Sequence, residues 1–323
     1  MLPPFAYRSP TNSSDALAAL ATPGARALGG GTDLLVLMKE GLEAPPQLVD
    51  LRRLEGANEI RVSPDGSVRL GAAVRIADIA AHAVIRANFH ALAQAAESVG
   101  TPALRNMGTI AGNLVQRPRC WYFRRGISCF KSGGSDCPAV KGENQYHAIL
   151  DAGRCHAVHP SDPAVALVAL EASVEILGAG GVRRSVPIAD FFEGATDNPT
   201  GETVLTADEM IEAITLPSRS AGGVQRYIKL MQRGAWDFAL VSLAAVKRAD
   251  GEVRLVLGGV AAAPYRLNIS IEEDVASGDL DAESCDALAE RALYDAVPLS
   301  GNGYKVKQAA ALLRDAMTEL SHS

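Results

Sequence analysis

Leu28-Gly29-Gly30-Gly31-Thr32-Asp33-Leu34-Leu35 joins a predicted strand at residues 26–28 to a predicted helix at residues 34–38. Glycines let the backbone approach a ligand closely, and free N–H groups at the start of a helix favour a phosphate. Thr32 and Asp33 are residues of the type that caps a helix. A tight turn before a capped helix needs no ligand, so a binding role and a purely structural role both remain open at this point.

The elements around this stretch predict three segments. Residues 1–55 predict a small βαβ-like unit, with a helix at 14–21 and a second strand at 47–51. Residues 56–218 mix strands and amphipathic helices, which favours an α+β fold over a doubly wound sheet. The predicted strands lie at 60–63, 67–70, 174–177 and 183–186, and the helices at 76–84, 91–98 and 162–170.

A run of small residues at 218–223 follows Pro217 and predicts a linker. Residues 222–323 then predict a separate α+β domain. Its strands are expected at 225–231, 239–247 and 253–260, and its helices at 282–294 and 304–320.

Composition limits the classes of function. The chain has 323 residues, enough for two or three packed units, and is 48% hydrophobic and 21% charged with a formal net charge of -6. This balance gives no basic surface for nucleic acid. The start lacks the features of a secretory signal, and no stretch approaches the roughly 20 apolar residues of a membrane span. We therefore expect a soluble, cytoplasmic chain, which reaches the periplasm only if exported with a signal-bearing partner.

A second glycine motif reads Gly108-Thr109-Ile110-Ala111-Gly112-Asn113-Leu114. Its small residues and its Thr and Asn side chains could line a pyrophosphate or a ribityl chain. Alone it also fits a simple turn.

Four of the five cysteines, Cys120, Cys129, Cys137 and Cys155, fall in one loop-like window. Four thiolates gathered in a chain without an export signal favour a metal cluster over disulfides or incidental thiols. Their spacing differs from the C-x2-C runs of ferredoxins. Cys285 stands apart in a predicted helix and is most simply a buried apolar thiol.

The order of these motifs resembles a known family. The chain resembles the FAD-binding medium subunit of the xanthine dehydrogenase and carbon monoxide dehydrogenase family of molybdenum hydroxylases. The resemblance lies in the order of GGGTDLL, TIAGNL, His159-Pro-Ser-Asp162, and Lys229 with Arg233 and Asp237. The match spans nearly the whole chain. It implies two FAD-binding subdomains of the PCMH and vanillyl-alcohol-oxidase type, at 1–55 and 56–218, and a C-terminal α+β domain of the CO dehydrogenase flavoprotein type at 222–323.

The cysteine window forms an insert at about 115–158. Such an insert resembles the subset typified by the FAD subunits of 4-hydroxybenzoyl-CoA reductase and periplasmic aldehyde oxidoreductase, in which four cysteines bind an additional [4Fe–4S] cluster. By this resemblance Cys120, Cys129, Cys137 and Cys155 are the cluster ligands.

The same resemblance assigns the FAD-binding residues. Asp162 would reach ribose or ribityl hydroxyls, although it could instead cap the following helix. Lys229 would lie at the polar edge of the isoalloxazine ring, although a solvated strand lysine is the alternative. Ile211 would contact the ring or the adenine. The full expected set is Leu28, Gly29, Gly30, Gly31, Thr32, Asp33, Leu34, Thr109, Gly112, Asn113, Asp162, Ile211 and Lys229.

The function implied is electron transfer without acid–base catalysis in this chain. A large molybdenum-cofactor subunit and a small subunit with two [2Fe–2S] clusters would be the partners, in a heterotrimer or a dimer of heterotrimers. FAD would pass electrons to an external acceptor, and the complex expected is an aldehyde oxidoreductase. Open alternatives are a 4-hydroxybenzoyl-CoA reductase, a xanthine or other N-heterocycle dehydrogenase, a free-standing FAD oxidase, and a metal-binding module without FAD.

Overall fold

The computed structural model describes residues 2–194 and 199–323. Its first sheet contains three short parallel strands in the order β1-β3-β2. They are β1 (Ala6–Arg8), β2 (Arg26–Leu28) and β3 (Gln47–Asp50), and the helices α1 (Ser13–Leu20) and α2 (Leu34–Lys39) connect them. The predicted βαβ pattern is therefore present here, together with the strand β1 that the sequence pattern did not predict.

The second sheet is antiparallel and places distant parts of the chain side by side. Its strands are β4 (Ile60–Val62), β5 (Val68–Gly71), β6 (Ser173–Leu177), β7 (Arg183–Pro187) and β8 (Met210–Leu216), in the order β4-β5-β8-β6-β7. Helices fill the long connection between β5 and β6. They are α3 (Ile76–Ala81), α4 (Ala83–Asn88), α5 (His90–Glu97), α6 (Pro102–Met107), α7 (Ile110–Leu114), α8 (Trp121–Arg124) and α9 (Asp162–Ala169), with α10 (Ile188–Phe191) after β7.

Two local predictions in this region were wrong. The single helix expected at 76–84 is two helices, because His82 between them has an extended backbone with ψ 123°. The second glycine motif is not a turn but contains the short helix α7, which begins after Thr109.

The third sheet is an antiparallel meander in the order β12-β11-β10-β9. Its strands are β9 (Val224–Leu230), β10 (Val241–Lys247), β11 (Val253–Gly258) and β12 (Tyr265–Arg266), followed by α11 (Ile269–Ala276), α12 (Ala282–Ala292) and α13 (Tyr304–Ser321). Successive side chains of a strand point to opposite faces of the sheet, so alternate residues of β10 pack in two different hydrophobic cores. Leu243 packs toward the helices α11–α13, whereas Ala244 packs in the core that contains α5 and α9. The predicted α+β class is confirmed.

Residues 115–158 form a mostly irregular segment that packs against the C-terminal helices. The Nδ2 atom of Asn302 donates to the carbonyl of His147 at 3.0 Å. Lys305, which is 1% exposed, donates from Nζ to the carbonyls of Tyr146, His147 and Gly259 at 3.0, 3.1 and 2.8 Å. Burial lowers the pKa of Lys305 to about 7. These buried contacts fix the path of the segment through the cysteine window.

Candidate functional site

The two glycine motifs pack directly against each other. A Cβ atom added to Gly29 would lie 2.5 Å from the Thr109 Oγ1, and one added to Gly30 would lie 1.8 Å from the Met107 carbonyl oxygen. Gly31 has φ +71°, a left-handed conformation that favours glycine. The close contact between the loops therefore explains Gly29 and Gly30 without a ligand. It also brings the two predicted parts of the binding site to one wall.

Three adjoining cavities run from this wall across the molecule. The first, of about 460 Å³, borders Gly29–Gly31 and the 200–209 segment, and both Leu28 and Leu34 line it. The second, of about 100 Å³, shares Thr32 and Gly112 with the first and reaches Lys229. The third, of about 380 Å³, shares Asp162 with the second and reaches Cys120. Together they form an elongated trench that begins at the glycine motifs and ends at the cysteine window.

A buried ion pair lies where the second and third cavities meet. Lys229 donates from Nζ to the Asp162 carboxylate at 2.8 Å, and the two side chains are only 3% and 6% exposed. The Tyr227 hydroxyl donates to the same carboxylate at 2.6 Å. Burial raises the pKa of Asp162, although Lys229 and Tyr227 oppose that rise. The alternative in which Lys229 is a solvated strand residue is thus wrong.

Asp162 does not cap α9. Ser161 is the N-cap, because its hydroxyl accepts a hydrogen bond from the Ala164 backbone N–H at 3.1 Å. The same hydroxyl donates to Asn113 Oδ1 at 2.5 Å, which ties α9 to α7. Asp162 instead lines the trench, with its carboxylate bonded to Lys229 and Tyr227.

The capping role predicted for Asp33 was wrong. Its carboxylate makes no capping hydrogen bond to α2 and turns instead toward the cysteine window. Arg119 and Arg124 approach it at 2.7 and 2.9 Å, and the Arg117 backbone N–H donates to it at 2.8 Å. Asp33 therefore fastens the glycine-rich loop to the segment that carries Cys120. The sequence offers no local signal for this contact, since the partners are more than 80 residues away.

The four cysteines of the window converge. Cys120, Cys129, Cys137 and Cys155 all line one small cavity of about 10 Å³, together with Phe123, Phe130 and Ala157. All five cysteines of the chain are free thiols, and Cys285 is buried elsewhere, in the core of the C-terminal helices. Across residues 2–194 and 199–323, no group of three or more His, Cys, Asp or Glu side chains is arranged so that it could hold a metal ion.

Burial makes two of these thiols, Cys120 and Cys155, poor acids. Desolvation raises the pKa of Cys120 to about 11 and also raises that of Cys155. Lys131, buried beside them, acts in the opposite direction on Cys155. A group that supplies positive charge to this cavity would favour the thiolates.

One other placement differs from expectation. Ile211 lies in β8 within the hydrophobic core and is not among the residues that line the trench. Trp236 is 61% exposed with φ 66° and borders the second cavity beside Lys229. Phe238 lines the second and third cavities and packs under the Arg119 guanidinium at 4.8 Å, a contact that sequence reasoning missed.

Replacing Gly30 with alanine is expected to reduce flavin retention by at least about tenfold, equivalent to ~1.4 kcal/mol. The new methyl group would collide with the Met107 carbonyl oxygen and push the two glycine motifs apart. Flavin fluorescence after equilibrium dialysis measures the change. Gly303→Ala is the matched control, because nothing lies within 4 Å of its Cβ position and its φ is -59°. Equal flavin retention by both variants would contradict the expectation.

Comparisons with known proteins identify the family of the chain. The family model described as the FAD binding domain in molybdopterin dehydrogenase matches residues 3–219. The aldehyde oxidoreductase FAD-binding subunit PaoB of Escherichia coli (strain K12) is 39% identical over 319 residues, which cover 98% of each chain. The carbon monoxide dehydrogenase medium chain of Hydrogenophaga pseudoflava is 29% identical over 273 residues, or 82% of this chain and 78% of the other.

A solved structure gives the same result for the fold. Carbon monoxide dehydrogenase from Hydrogenophaga pseudoflava, in a form that lacks the Mo-pyranopterin moiety of the molybdenum cofactor, matches with a TM-score of 0.76 at 25% identity and covers 99% of both chains. No helix among the described residues is long and apolar enough to cross a membrane. The chain belongs to the family of FAD-binding subunits of molybdenum-containing dehydrogenases.

Proposed function

We propose that this chain is the FAD- and [4Fe–4S]-containing electron-transfer subunit of a molybdenum hydroxylase complex, of the aldehyde oxidoreductase type. The observation that carries the proposal is the trench, which joins the glycine motifs, the Asp162–Lys229 pair and Cys120 in one continuous path. An elongated dinucleotide fits such a path, and its redox-active end would face the cysteine window.

In this proposal the first cavity holds the adenine and pyrophosphate. Gly29, Gly30 and Gly31 offer backbone without side chains, and Thr32 and Gly112 lead into the second cavity. Thr109 supports this wall from behind, because it is only 2% exposed and accepts from the Gly112 N–H at 3.2 Å. Leu28, Leu34 and Asn113 complete the cradle.

The Asp162–Lys229 pair would meet the ribityl chain and the ring. A flavin supplies the ability to take electrons singly and to pass on one or two. Asp162 has oxygens that accept hydrogen bonds from hydroxyls, and Lys229 places a buried positive charge where a reduced ring becomes anionic. Tyr227 holds the carboxylate in place through its hydrogen bond.

The four cysteines would hold the cluster. Their shared apolar cavity and free thiols suit a thiolate-bound iron–sulfur cluster, which spreads its ligands around several metal atoms rather than one. Binding of iron would supply the positive charge that the buried thiols need for deprotonation. The buried Lys131 supports the same charge balance.

The proposed partners are a large molybdenum-cofactor subunit and a small [2Fe–2S] subunit, with an external electron acceptor. The aldehyde oxidoreductase type is favoured because that FAD-binding subunit matches 98% of this chain at 39% identity. The cytoplasm is the proposed location, unless a signal-bearing partner carries the complex to the periplasm.

The test is anaerobic purification of the chain with its co-expressed partners, followed by iron, sulfide and flavin counts. About four iron and four sulfide per chain beyond the partners' own centres, with one releasable FAD, is the expected result. FAD without iron in this chain would overturn the cluster assignment. Purification as a single active chain with its own substrate would instead support a free-standing FAD oxidase.

A further inference from the structure

His147 lies between the cysteine cavity and the trench. It is 3% exposed, and its Nε2 atom is 3.3 Å from the Cys120 Sγ. The ring also lines the third cavity. It packs edge-on to the Trp121 ring at 5.7 Å between centroids and lies 6.2 Å from the Tyr122 ring.

The backbone of His147 is held on both sides, so its ring has little freedom. The N–H of His147 donates to the Asn144 carbonyl at 3.0 Å. Its carbonyl accepts from the Asn302 side chain at 3.0 Å and from the Lys305 Nζ at 3.1 Å. These partners are themselves buried. The packing of this segment therefore holds the His147 Nε2 atom at its short distance from the Cys120 Sγ.

We propose that His147 donates a hydrogen bond from Nε2 to the Cys120 sulfur and thereby raises the reduction potential of the cluster. The inference rests on the proposed function, since it requires a cluster at Cys120. A cluster-bound thiolate can only accept a hydrogen bond, so the proton must be on Nε2. Reduction adds negative charge to the cluster and its sulfurs, and a donor to sulfur stabilises that reduced form more than the oxidised form. His147 is thus a positioning residue that tunes the potential.

The test compares midpoint potentials of the [4Fe–4S] signal in the full chain, by EPR-monitored redox titration of anaerobically purified protein. His147→Phe keeps an aromatic ring against Trp121 and removes the donor, so its potential is expected to fall. His147→Gln can place an amide N–H near the Nε2 position and is expected to restore a potential close to that of the parent protein. His156→Phe is the matched control. His156 follows a different cysteine, Cys155, in the chain, and its Nδ1 has no hydrogen-bond partner among the described residues.

An unchanged potential in His147→Phe with full iron content would overturn the proposal, as would equal shifts in the Phe and Gln variants. A second measurement needs no substitution and covers the case in which His147→Phe loses iron. Pulsed EPR of the reduced parent chain labelled with ¹⁵N-histidine should show a nitrogen coupled to the cluster through the hydrogen bond. Absence of this coupling in a chain that contains iron refutes the role of His147 alone, whereas absence of iron refutes the proposed cluster.

Discussion

Cys129→Ala protein is expected to retain almost none of the roughly four iron and four sulfide that the proposed cluster would contain. Cys129 is 5% exposed and lines the cavity that the other three cysteines share. Losing one thiolate of four leaves an iron atom without its protein ligand in an apolar cavity, where water is a poor replacement. Colorimetric iron and sulfide assays, together with the visible absorption of the cluster, measure the effect.

Cys285→Ala is the matched control for that substitution. Cys285 is also fully buried, but it packs with the C-terminal helices and does not line the cavity. Its variant should keep the parent iron content and lose only some stability. Full iron in Cys129→Ala would show that the converging thiols are not cluster ligands. Flavin is expected to bind to both variants, since the glycine motifs and Lys229 are untouched, but to be held less firmly by Cys129→Ala, in which the cysteine window has lost its cluster.

Lys229→Met is expected to lower the free energy of unfolding by ~3–5 kcal/mol and to weaken flavin retention. The substitution leaves Asp162 as a buried carboxylate with one remaining hydrogen bond, from Tyr227. Denaturant unfolding followed by circular dichroism measures the loss. Arg61→Met is the control, because the Arg61–Glu59 pair is 59% and 49% exposed and such a pair contributes at most about 1 kcal/mol. The double variant Asp162→Asn/Lys229→Met should recover much of the stability, and failure to do so would contradict this explanation.

The loss of stability in Lys229→Met is expected to depend on pH, and the pKa of Asp162 determines the direction of that dependence. Burial raises the pKa of Asp162 above the ordinary value of an aspartic acid, and Lys229 limits the rise. A carboxyl with a raised folded-state pKa favours folding most at low pH, and this contribution is lost as pH increases through the folded-state pKa. Removing Lys229 moves that pKa further upward. Lys229→Met should therefore be more destabilised relative to the parent protein at pH 8 than at pH 5, and the reverse order would show that Asp162 is not the titrating group.

Local patterns predicted the parts of the site that depend on neighbouring residues. The glycine turn at 29–31 and the strand and helix on either side of it follow from residue types within one short stretch, and the structure places them as expected. The contact of Asp162 with Lys229 joins residues 67 apart, and it was not predicted, because the family resemblance placed each residue separately against the flavin. The role of Asp33 was missed because its partners lie in an irregular segment without periodicity.

The attachment of Asp33 to Arg119 and Arg124 also bears on how the protein matures. Both arginines flank Cys120. In a newly made chain whose residues 115–158 have not yet folded, their guanidinium groups are therefore not in position to hold the glycine-rich loop. Whatever orders the cysteine window thereby orders the loop, and linkage requires the effect to be equal in the reverse direction. Loading of FAD and of the proposed cluster should accordingly be cooperative, with each one retained more firmly by a chain that already contains the other.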